Sequence, residues 1–419
     1  MKFRQILIFF LIFISQVRAQ KLLIPMDLTQ TDHLKSYGVA YHTLKRGINV
    51  EWLLNFRGGS FLTDADEETV RECRIKGVKY QLISDAQTEQ IYEKIDKSNM
   101  DIILLEKAPE IAVYTPPNKQ PWDDAVTLVL TYAEISYTTL WDQEVLKGKL
   151  SEFDWLHLHH EDFTGQYGKF YATYHNARWY KKQKLLFEQI ARRLGFSKVS
   201  KLKLAVALEI KDYVKRGGFL FAMCSATDSY DIALAAQNTD ICAAVFDGDP
   251  VDPDWKRKLD YTKCLAFTNF KLYTDPYVYE FSDIDTTPLN RLSAVSPSDN
   301  YFTLFQFSAK FDPVPTMLTQ NHVSVIHNFM GQTTGFHADK IKSHIVIMAK
   351  REDSDEVKYI HGNLGKGSFT FLGGHDPEDY EHFVGDPPTD LILHKNSPGY
   401  RLILNNILFP AARKKKQKT

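Results

Sequence analysis

The chain has 419 residues, 44% of them hydrophobic and 13% aromatic, with 51 Lys and Arg residues against 52 Asp and Glu residues. This composition is typical of a folded protein with a sizeable core, and it excludes a disordered or fibrous chain. Because the formal net charge of −1 carries no basic excess, nucleic acid is not an expected partner.

The N-terminus has the pattern of a secretory signal peptide. Lys2 and Arg4 precede an apolar run at 6–14, and Val17 and Ala19 occupy the −3 and −1 positions of a cut after Ala19. The run is shorter than the roughly 20 apolar residues that a permanent membrane anchor needs, and no later segment is apolar enough to span a bilayer. We therefore predict an exported protein, periplasmic or extracellular, with no transmembrane segment in its mature chain; an uncleaved anchor is the alternative.

Strands and helices alternate along the mature chain. The predicted strands are 21–26, 48–54, 126–130, 154–159, 219–223, 343–349, 357–360 and 367–372, and the predicted helices are 33–46, 137–147, 204–216 and 400–409. Helical spacing of apolar residues marks the helices, and short apolar runs mark the strands. The alternation predicts an α/β fold, a doubly wound and mostly parallel sheet with helices on both faces.

The domain organisation predicted from the sequence is a signal peptide (1–19), one elaborated domain (20–412) and a solvated basic tail (413–419). Residues 240–330 have no clear periodicity and are rich in Asp, Pro, Thr, Phe and Tyr. We interpret them as an irregular insertion, a kind of segment that often carries substrate-facing elements.

Four cysteines are too few for a disulfide-dense scaffold, and none has the CxxC spacing of a zinc or redox pair. An exported protein can oxidise its thiols, so one disulfide, with Cys242 and Cys264 as a candidate pair, is an open alternative to free cysteines.

Cys224 is the first candidate catalytic residue, because it follows the strand 219–223 and is flanked by Ala222 and Ala226. A nucleophile on a sharp turn from strand to helix needs small residues two places before and after it, where the strained turn approaches neighbouring backbone. The following helix would lower the pKa of the thiol and supply oxyanion donors. The alternative is a buried structural cysteine, with Ser225 or Thr227 as a helix cap.

His375 is the second candidate, because it follows the strand 367–372 and precedes Asp376 and Glu378. A histidine just past a strand end can act as a general base that a carboxylate holds in one tautomer. We favour Glu378 over Asp376 as that carboxylate. The alternative is an exposed histidine beside a helix that begins near Pro377.

The third candidate is the histidine-rich end of the strand 154–159. His157 and His159 share one face of a strand and His160 takes the other. With Glu161 or Asp162, the two imidazoles on one face could bind zinc or another divalent metal, or the segment could line a polar substrate pocket. Structural hydrogen bonding is the third interpretation, and the absence of an HExxH motif leaves all three open.

The sequence resembles the class I glutamine amidotransferase-like superfamily, which includes the ThuA-like proteins. The resemblance rests on 211–218 leading into Ala222-Met223-Cys224-Ser225-Ala226, and on Gly373-Gly374-His375 with Pro377-Glu378. It implies a nucleophile elbow on a doubly wound parallel sheet, with Cys224 as nucleophile, His375 as base and Glu378 as orienting acid. Amidotransferases usually have Gly at both flanks of the elbow and no residue in the place of Asp376.

The whole chain is also similar to exported Bacteroidetes proteins labelled asparagine synthetase B. A glutamine-dependent synthetase has its catalytic Cys directly after the initiator Met and a Ser-Gly-Gly-Xaa-Asp-Ser loop for ATP, whereas this chain has Lys2 and no such loop. Synthetase chemistry is therefore not expected.

Three functions remain as expectations from the sequence. The first is a cysteine-dependent hydrolase that cleaves an amide or related acyl bond through Cys224. It needs no cofactor, and its substrate is a small molecule, a peptide or a carbohydrate. The candidate substrate-binding residues are His157, His159, His160, Glu161 and Ser225. The second is a non-catalytic carbohydrate- or peptide-binding module that uses aromatic residues at 170–180 and 261–281. The third is a metal-dependent hydrolase built on His157, His159 and Glu161, with His375 as a candidate further ligand.

Overall fold

The computed structural model describes residues 20–287, 300–312, 316–379 and 384–412. The predicted signal peptide (1–19) and basic tail (413–419) lie outside these ranges. Within them, no helix combines the length and the apolar character needed to cross a membrane.

The strands, in chain order, are β1 (Gln20–Ile24), β2 (Val50–Leu54), β3 (Ser60–Asp64), β4 (Gln81–Ser84), β5 (Asp101–Leu105), β6 (Ile111–Tyr114), β7 (Thr138–Leu140), β8 (Trp155–Leu158), β9 (Phe219–Met223), β10 (Tyr301–Leu304), β11 (Val325–His327), β12 (Phe336–His337), β13 (Val346–Lys350), β14 (Glu356–Leu364) and β15 (Gly367–Leu372). The α-helices are α1 (His33–Lys45), α2 (Glu67–Lys76), α3 (Asp85–Asp96), α4 (Ala125–Tyr132), α5 (Asp142–Leu146), α6 (Tyr171–Tyr174), α7 (Arg178–Arg193), α8 (Val199–Arg216), α9 (Ser225–Ala235), α10 (Ala244–Asp247), α11 (Trp255–Lys258) and α12 (Pro398–Leu408).

The first five strands form a separate antiparallel sheet, in the order β4-β1-β3-β2-β5. Strand β3 lies between β1 and β2 and is antiparallel to both, with Leu62 opposite Leu23 and Phe61 opposite Trp52. The expectation that β1, α1 and β2 belong to the parallel sheet was wrong. The reason is a tight turn after β2, where Gly58 and Gly59 take positive φ values and fold β3 back onto β2.

The second sheet is mixed and runs β11-β10-β13-β14-β15-β9-β8-β6-β7, with β12 paired to β14. The five strands β7-β6-β8-β9-β15 pair in parallel. From β15 to β11 the pairing is antiparallel, so the expectation of a mostly parallel sheet holds for only half of it. Counted in chain order, the parallel strands are arranged 2-1-3-4-5, and the order reverses between β6 and β8. The chain is therefore a mixed α/β protein.

Two elements before β8 differ from the sequence prediction. The apolar run 126–130 was expected to be a strand, but it lies in α4, whose N-terminus is capped by Asp124 through a 2.9 Å hydrogen bond from the Thr127 amide. A short apolar run alone does not distinguish a buried strand from a buried helix. The helix expected at 137–147 is divided into β7 and α5.

Helix α12 joins the two sheets, and its Arg401 side chain is fully buried. Arg401 donates to the Tyr37 hydroxyl at 3.0 Å and to the Met26 carbonyl at 2.9 Å, both in the N-terminal part of the chain. One hydrophobic cluster includes Trp52 of the first sheet and Phe302 of the second. The two sheets thus share a core.

All four cysteines are free and buried. The Cys242 thiol donates to the Thr164 carbonyl and the Cys264 thiol to the Asp231 carbonyl. The candidate disulfide between Cys242 and Cys264 is therefore not formed, because each sulfur points to a different backbone acceptor.

Candidate active site

The parallel half of the second sheet brings the candidate residues to one edge. Asp124 follows β6, His159–Glu161 follow β8, Cys224 follows β9, and His375 follows β15. These are the carboxyl ends of the strands, next to the point where the strand order reverses. Ligands of open α/β sheets bind in the crevice at this position.

Cys224 lies on a sharp turn between β9 and α9. Its φ and ψ angles are 49° and −141°, a backbone conformation that residues other than glycine rarely adopt. Such a conformation costs about 1–3 kcal/mol. Its amide donates to the Gly374 carbonyl at 3.1 Å, which ties the turn to the loop after β15. Ala222 and Ala226, two places before and after Cys224, are fully buried, so a larger side chain has no room at either position. The turn is the one that the sequence predicted.

Backbone amides surround the Cys224 sulfur. The Gln332 amide donates to Sγ at 3.4 Å, and the amides of Thr333 and Ser225 also point to the sulfur. Burial raises the pKa of the Cys224 thiol from an ordinary value of 9.0 to about 11, although the amides favour the thiolate and oppose this shift. The thiol is therefore protonated at neutral pH, and it would need a base to act as a nucleophile.

A cavity of about 360 Å³ opens onto this sulfur. Its polar wall contains Cys224, His375, His160 and Gln332. The remaining lining residues are mostly aromatic: Trp122, Phe170, Thr173, Tyr174, Tyr279 and Val384. The two predicted catalytic side chains, Cys224 and His375, thus line one cavity.

Gly331 separates these two side chains. A Cβ atom added at this position would lie 2.7 Å from His375 Cβ and 3.3 Å from Cys224 Sγ, and the φ angle of 138° disfavours any residue but glycine. Gly331 is therefore required both by its backbone conformation and by the space between the two side chains.

The Gly331→Ala variant is expected to lower the rate at which iodoacetamide alkylates Cys224 by about tenfold or more, because the methyl group fills the space between sulfur and imidazole. The matched control is Gly195→Ala, since Gly195 also has a positive φ, 88°, but open space around it. Equal labelling rates in Gly331→Ala and Gly195→Ala would show that Gly331 does not control access to the sulfur.

Behind His375 lies a row of histidines. The His375 ring stacks on His159, with 3.8 Å between ring centroids and 26° between planes. His159 Nδ1 lies 3.1 Å from Asp124 Oδ2, and His157 Nε2 lies 3.6 Å from the same oxygen. Burial opposes a charge on His159, but the Asp124 carboxylate outweighs it and raises the pKa of His159. Burial likewise opposes the charge on Asp124, but the two imidazoles hold its pKa well below the ordinary value.

Three further predicted substrate-binding residues, Glu161, Ser225 and His160, lie in or beside the loop after β8. Glu161 accepts a 2.9 Å hydrogen bond from the His159 amide, and burial raises the pKa of Glu161 to about 7. The Ser225 hydroxyl donates to the His160 carbonyl at 3.1 Å. The indole N–H of Trp122 donates to His160 Nε2, which orients that ring. Of the predicted set, His160 lines the cavity, whereas Glu161 and Ser225 hold the loop.

The loop after His375 is anchored by its acids. Asp376 is fully buried and accepts hydrogen bonds from the Tyr400 hydroxyl and the Thr389 hydroxyl, both at 3.0 Å. The Glu378 carboxylate lies 3.2 Å from His394 Nδ1. The role of Glu378 as the acid that orients His375 stays a prediction.

Sequence reasoning missed Asp124, Trp122, Gly331 and Gln332. Asp124 could have been found as a helix cap before an apolar run. Gly331 and Gln332 carry no local signal, because they come to the site from a loop that follows the irregular segment.

Comparison with known proteins gives matches among solved structures alone. No protein-family model and no curated protein matches the chain. Among solved structures, the chain is similar to the Salmonella typhimurium cytoplasmic protein STM3548, with 9% identity, a TM-score of 0.35, and coverage of 73% of this chain and 100% of that one. The S. typhimurium LT2 cytoplasmic protein STM1381 has 11% identity, a TM-score of 0.34 and the same coverage. A third similar structure, the GH42 β-galactosidase Gan42B, has 11% identity and a TM-score of 0.27, with 64% of this chain and 28% of that one covered.

Proposed function

We propose that the chain is a cysteine-dependent hydrolase of an amide or related acyl bond, with a doubly wound core of the class I glutamine amidotransferase-like type. The observation that carries the proposal is the strained Cys224 turn, whose sulfur faces backbone amides and shares a cavity with His375. The 2-1-3-4-5 order of the parallel strands supports the fold, since flavodoxin-like doubly wound sheets have this order.

The reaction begins with proton transfer, because burial keeps the Cys224 thiol protonated. His375 takes the thiol proton as the sulfur attacks the carbonyl carbon of the substrate, and the carbonyl oxygen becomes an oxyanion. The Ser225 amide follows the nucleophile and, with the amides of the Gln332 loop, supplies N–H donors to that oxygen. His375 then gives the proton to the leaving amine or alcohol, which departs as a thioester forms on Cys224. Water hydrolyses the thioester, releases the acid and restores the thiol.

The volume of the cavity limits the size of the acyl group that Cys224 could accept. A volume of about 360 Å³ is at the lower end of the usual range for ligand pockets. Trp122, Phe170 and Tyr174 offer flat apolar surfaces against which a sugar or planar ring can stack. The proposed substrate is therefore a small molecule, or a single peptide or sugar unit of a larger one.

Alkylation by iodoacetamide tests whether Cys224 is the accessible nucleophile. Cys224 is expected to react before Cys73 in the folded chain, because Cys224 lines the cavity. Burial also raises the pKa of the Cys73 thiol more, to about 12, than it raises that of the Cys224 thiol, to about 11. Since only the thiolate reacts, the rate should rise about tenfold per pH unit up to about pH 11, without a plateau near pH 8.5. Peptide mass spectrometry at each pH gives the rate for each cysteine.

The urea-unfolded chain is the control, in which all four cysteines should react at similar rates. Labelling of Cys224 no faster than that of Cys73 in the folded chain would contradict the proposal. A plateau near pH 8.5 would contradict the raised pKa of Cys224.

A further inference from the structure

A second cluster of potential ligands lies behind His375 and contains Asp124, His157 and His159. Their ligand atoms lie within 4.8 Å of one another. Both histidines are fully buried, whereas the Asp124 side chain is 17% exposed and leaves a route to solvent. None of the three is used in the mechanism above.

The tautomer of His157 follows from its backbone partner. His157 Nδ1 lies 3.2 Å from the Phe221 carbonyl oxygen, which can only accept, so Nδ1 carries the hydrogen. Nε2 of the neutral ring is then a lone pair, and it faces Asp124 Oδ2 at 3.6 Å. Among the described residues, no hydrogen-bond donor reaches His157 Nε2. Two buried acceptors that face each other are unfavourable unless a proton or a metal ion lies between them.

The two separations measured from Asp124 Oδ2 match a tetrahedral metal site. With metal–ligand bonds of about 2.0–2.1 Å, adjacent ligand atoms of a tetrahedral zinc site are about 3.4 Å apart. The measured separations from Asp124 Oδ2 are 3.1 Å to His159 Nδ1 and 3.6 Å to His157 Nε2.

The surroundings of two ligands also fit a metal site. A carbonyl that accepts the other ring N–H is a common second partner of a metal-binding histidine, and Phe221 supplies one to His157. The second oxygen of Asp124, Oδ1, accepts from the Thr127 amide at 2.9 Å, which leaves Oδ2 turned toward both imidazoles.

We propose that Asp124, His157 and His159 bind a divalent first-row transition metal such as Zn²⁺. Two imidazoles and one carboxylate suit such an ion, whereas Mg²⁺ and Ca²⁺ prefer oxygen ligands. The carboxylate ligand is Asp124 and not Glu161, which accepts the His159 amide instead. His160 is not a ligand, because its Nε2 accepts from Trp122 and its Nδ1 therefore carries the proton. The ion would fix the His159 ring on which His375 stacks.

Cobalt titration tests the site without reference to activity. Chelator-treated wild-type protein is expected to bind one equivalent of Co²⁺ with the visible absorption of tetrahedral coordination, and Zn²⁺ should displace it. The key variant is Asp124→Asn, because the asparagine oxygen can still cap α4 but carries no charge. Its affinity for Co²⁺ should fall about a hundredfold or more. His160→Ala is the matched control and should bind Co²⁺ as the wild type does.

Thermal unfolding separates loss of metal binding from loss of stability in the variants, because each variant is compared with its own metal-free form. Zn²⁺ should raise the melting temperature of the wild type and of His160→Ala but not that of Asp124→Asn, compared with each metal-free protein. The proposal is overturned if the wild type binds no Co²⁺, or if Asp124→Asn binds it normally. Loss of binding in His160→Ala would also overturn it, by placing the ion among His159, His160 and His375 instead. Because Cys224 is not a ligand, failure of this test leaves the proposed hydrolase untouched.

Discussion

The Cys224→Ala variant is expected to hydrolyse p-nitrophenyl acetate on the order of a thousandfold more slowly than the wild type and to release no burst of p-nitrophenol. The reason is that the proposed mechanism passes through a thioester on Cys224, and the neighbouring amides can stabilise an oxyanion only if a nucleophile attacks. Stopped-flow absorbance in the first turnover separates the burst from steady hydrolysis.

The control for this variant is Cys73→Ala. Cys73 is also free and fully buried, but it lies in α2 beside the first sheet and does not line the cavity. Cys73→Ala should keep the full burst. Equal bursts in Cys224→Ala and Cys73→Ala would assign the ester hydrolysis to other groups and remove the catalytic role of Cys224.

The Asp231→Ala variant is expected to lower the free energy of unfolding by at least about 3 kcal/mol. Asp231 in α9 is fully buried and accepts hydrogen bonds from the amides of Leu265, Ala266 and Phe267 at 2.6, 2.7 and 2.9 Å. Without the carboxylate, three buried N–H groups lose their acceptor, and each costs about 1–3 kcal/mol. Urea denaturation followed by circular dichroism gives the change.

Asp212→Ala is the matched control for Asp231→Ala. Asp212 is a half-exposed carboxylate in α8 that pairs with Arg216, and surface pairs of this kind contribute at most about 1 kcal/mol. A loss in Asp231→Ala no larger than that in Asp212→Ala would mean that the segment 265–267 finds other acceptors, and that Asp231 does not hold it against α9.

Local elements were well predicted where the sequence pattern is strong. The helix at 33–46 and the strand at 219–223 match α1 and β9, and the strands expected at 343–349 and 357–360 appear as the antiparallel pair β13 and β14. The turn at Cys224 was also predicted, because such a turn requires small residues two places before and after it, and Ala222 and Ala226 occupy those positions. In each case the information lies within a few residues of the element.

Pairing between distant segments was not predictable in the same way. Nothing local in β1 or β2 indicates that β3 will separate them, because the partner is chosen by the whole fold. The site shows the same limit: the Gln332 amide reaches Cys224 across 108 positions of sequence. Asp124 escaped notice because the run after it was interpreted as a strand, although a helix capped by Asp fits the same residues.

The most direct test of the proposed function is detection of the covalent intermediate. Wild-type protein is mixed with p-nitrophenyl acetate, quenched in acid within one turnover and digested, and the acetylated peptide is identified by mass spectrometry. We expect an acetyl group on Cys224 that hydroxylamine removes, as it does from thioesters. Acetylation confined to lysines or to the other three cysteines, with Cys224 unmodified, would contradict the assignment of Cys224 as the nucleophile.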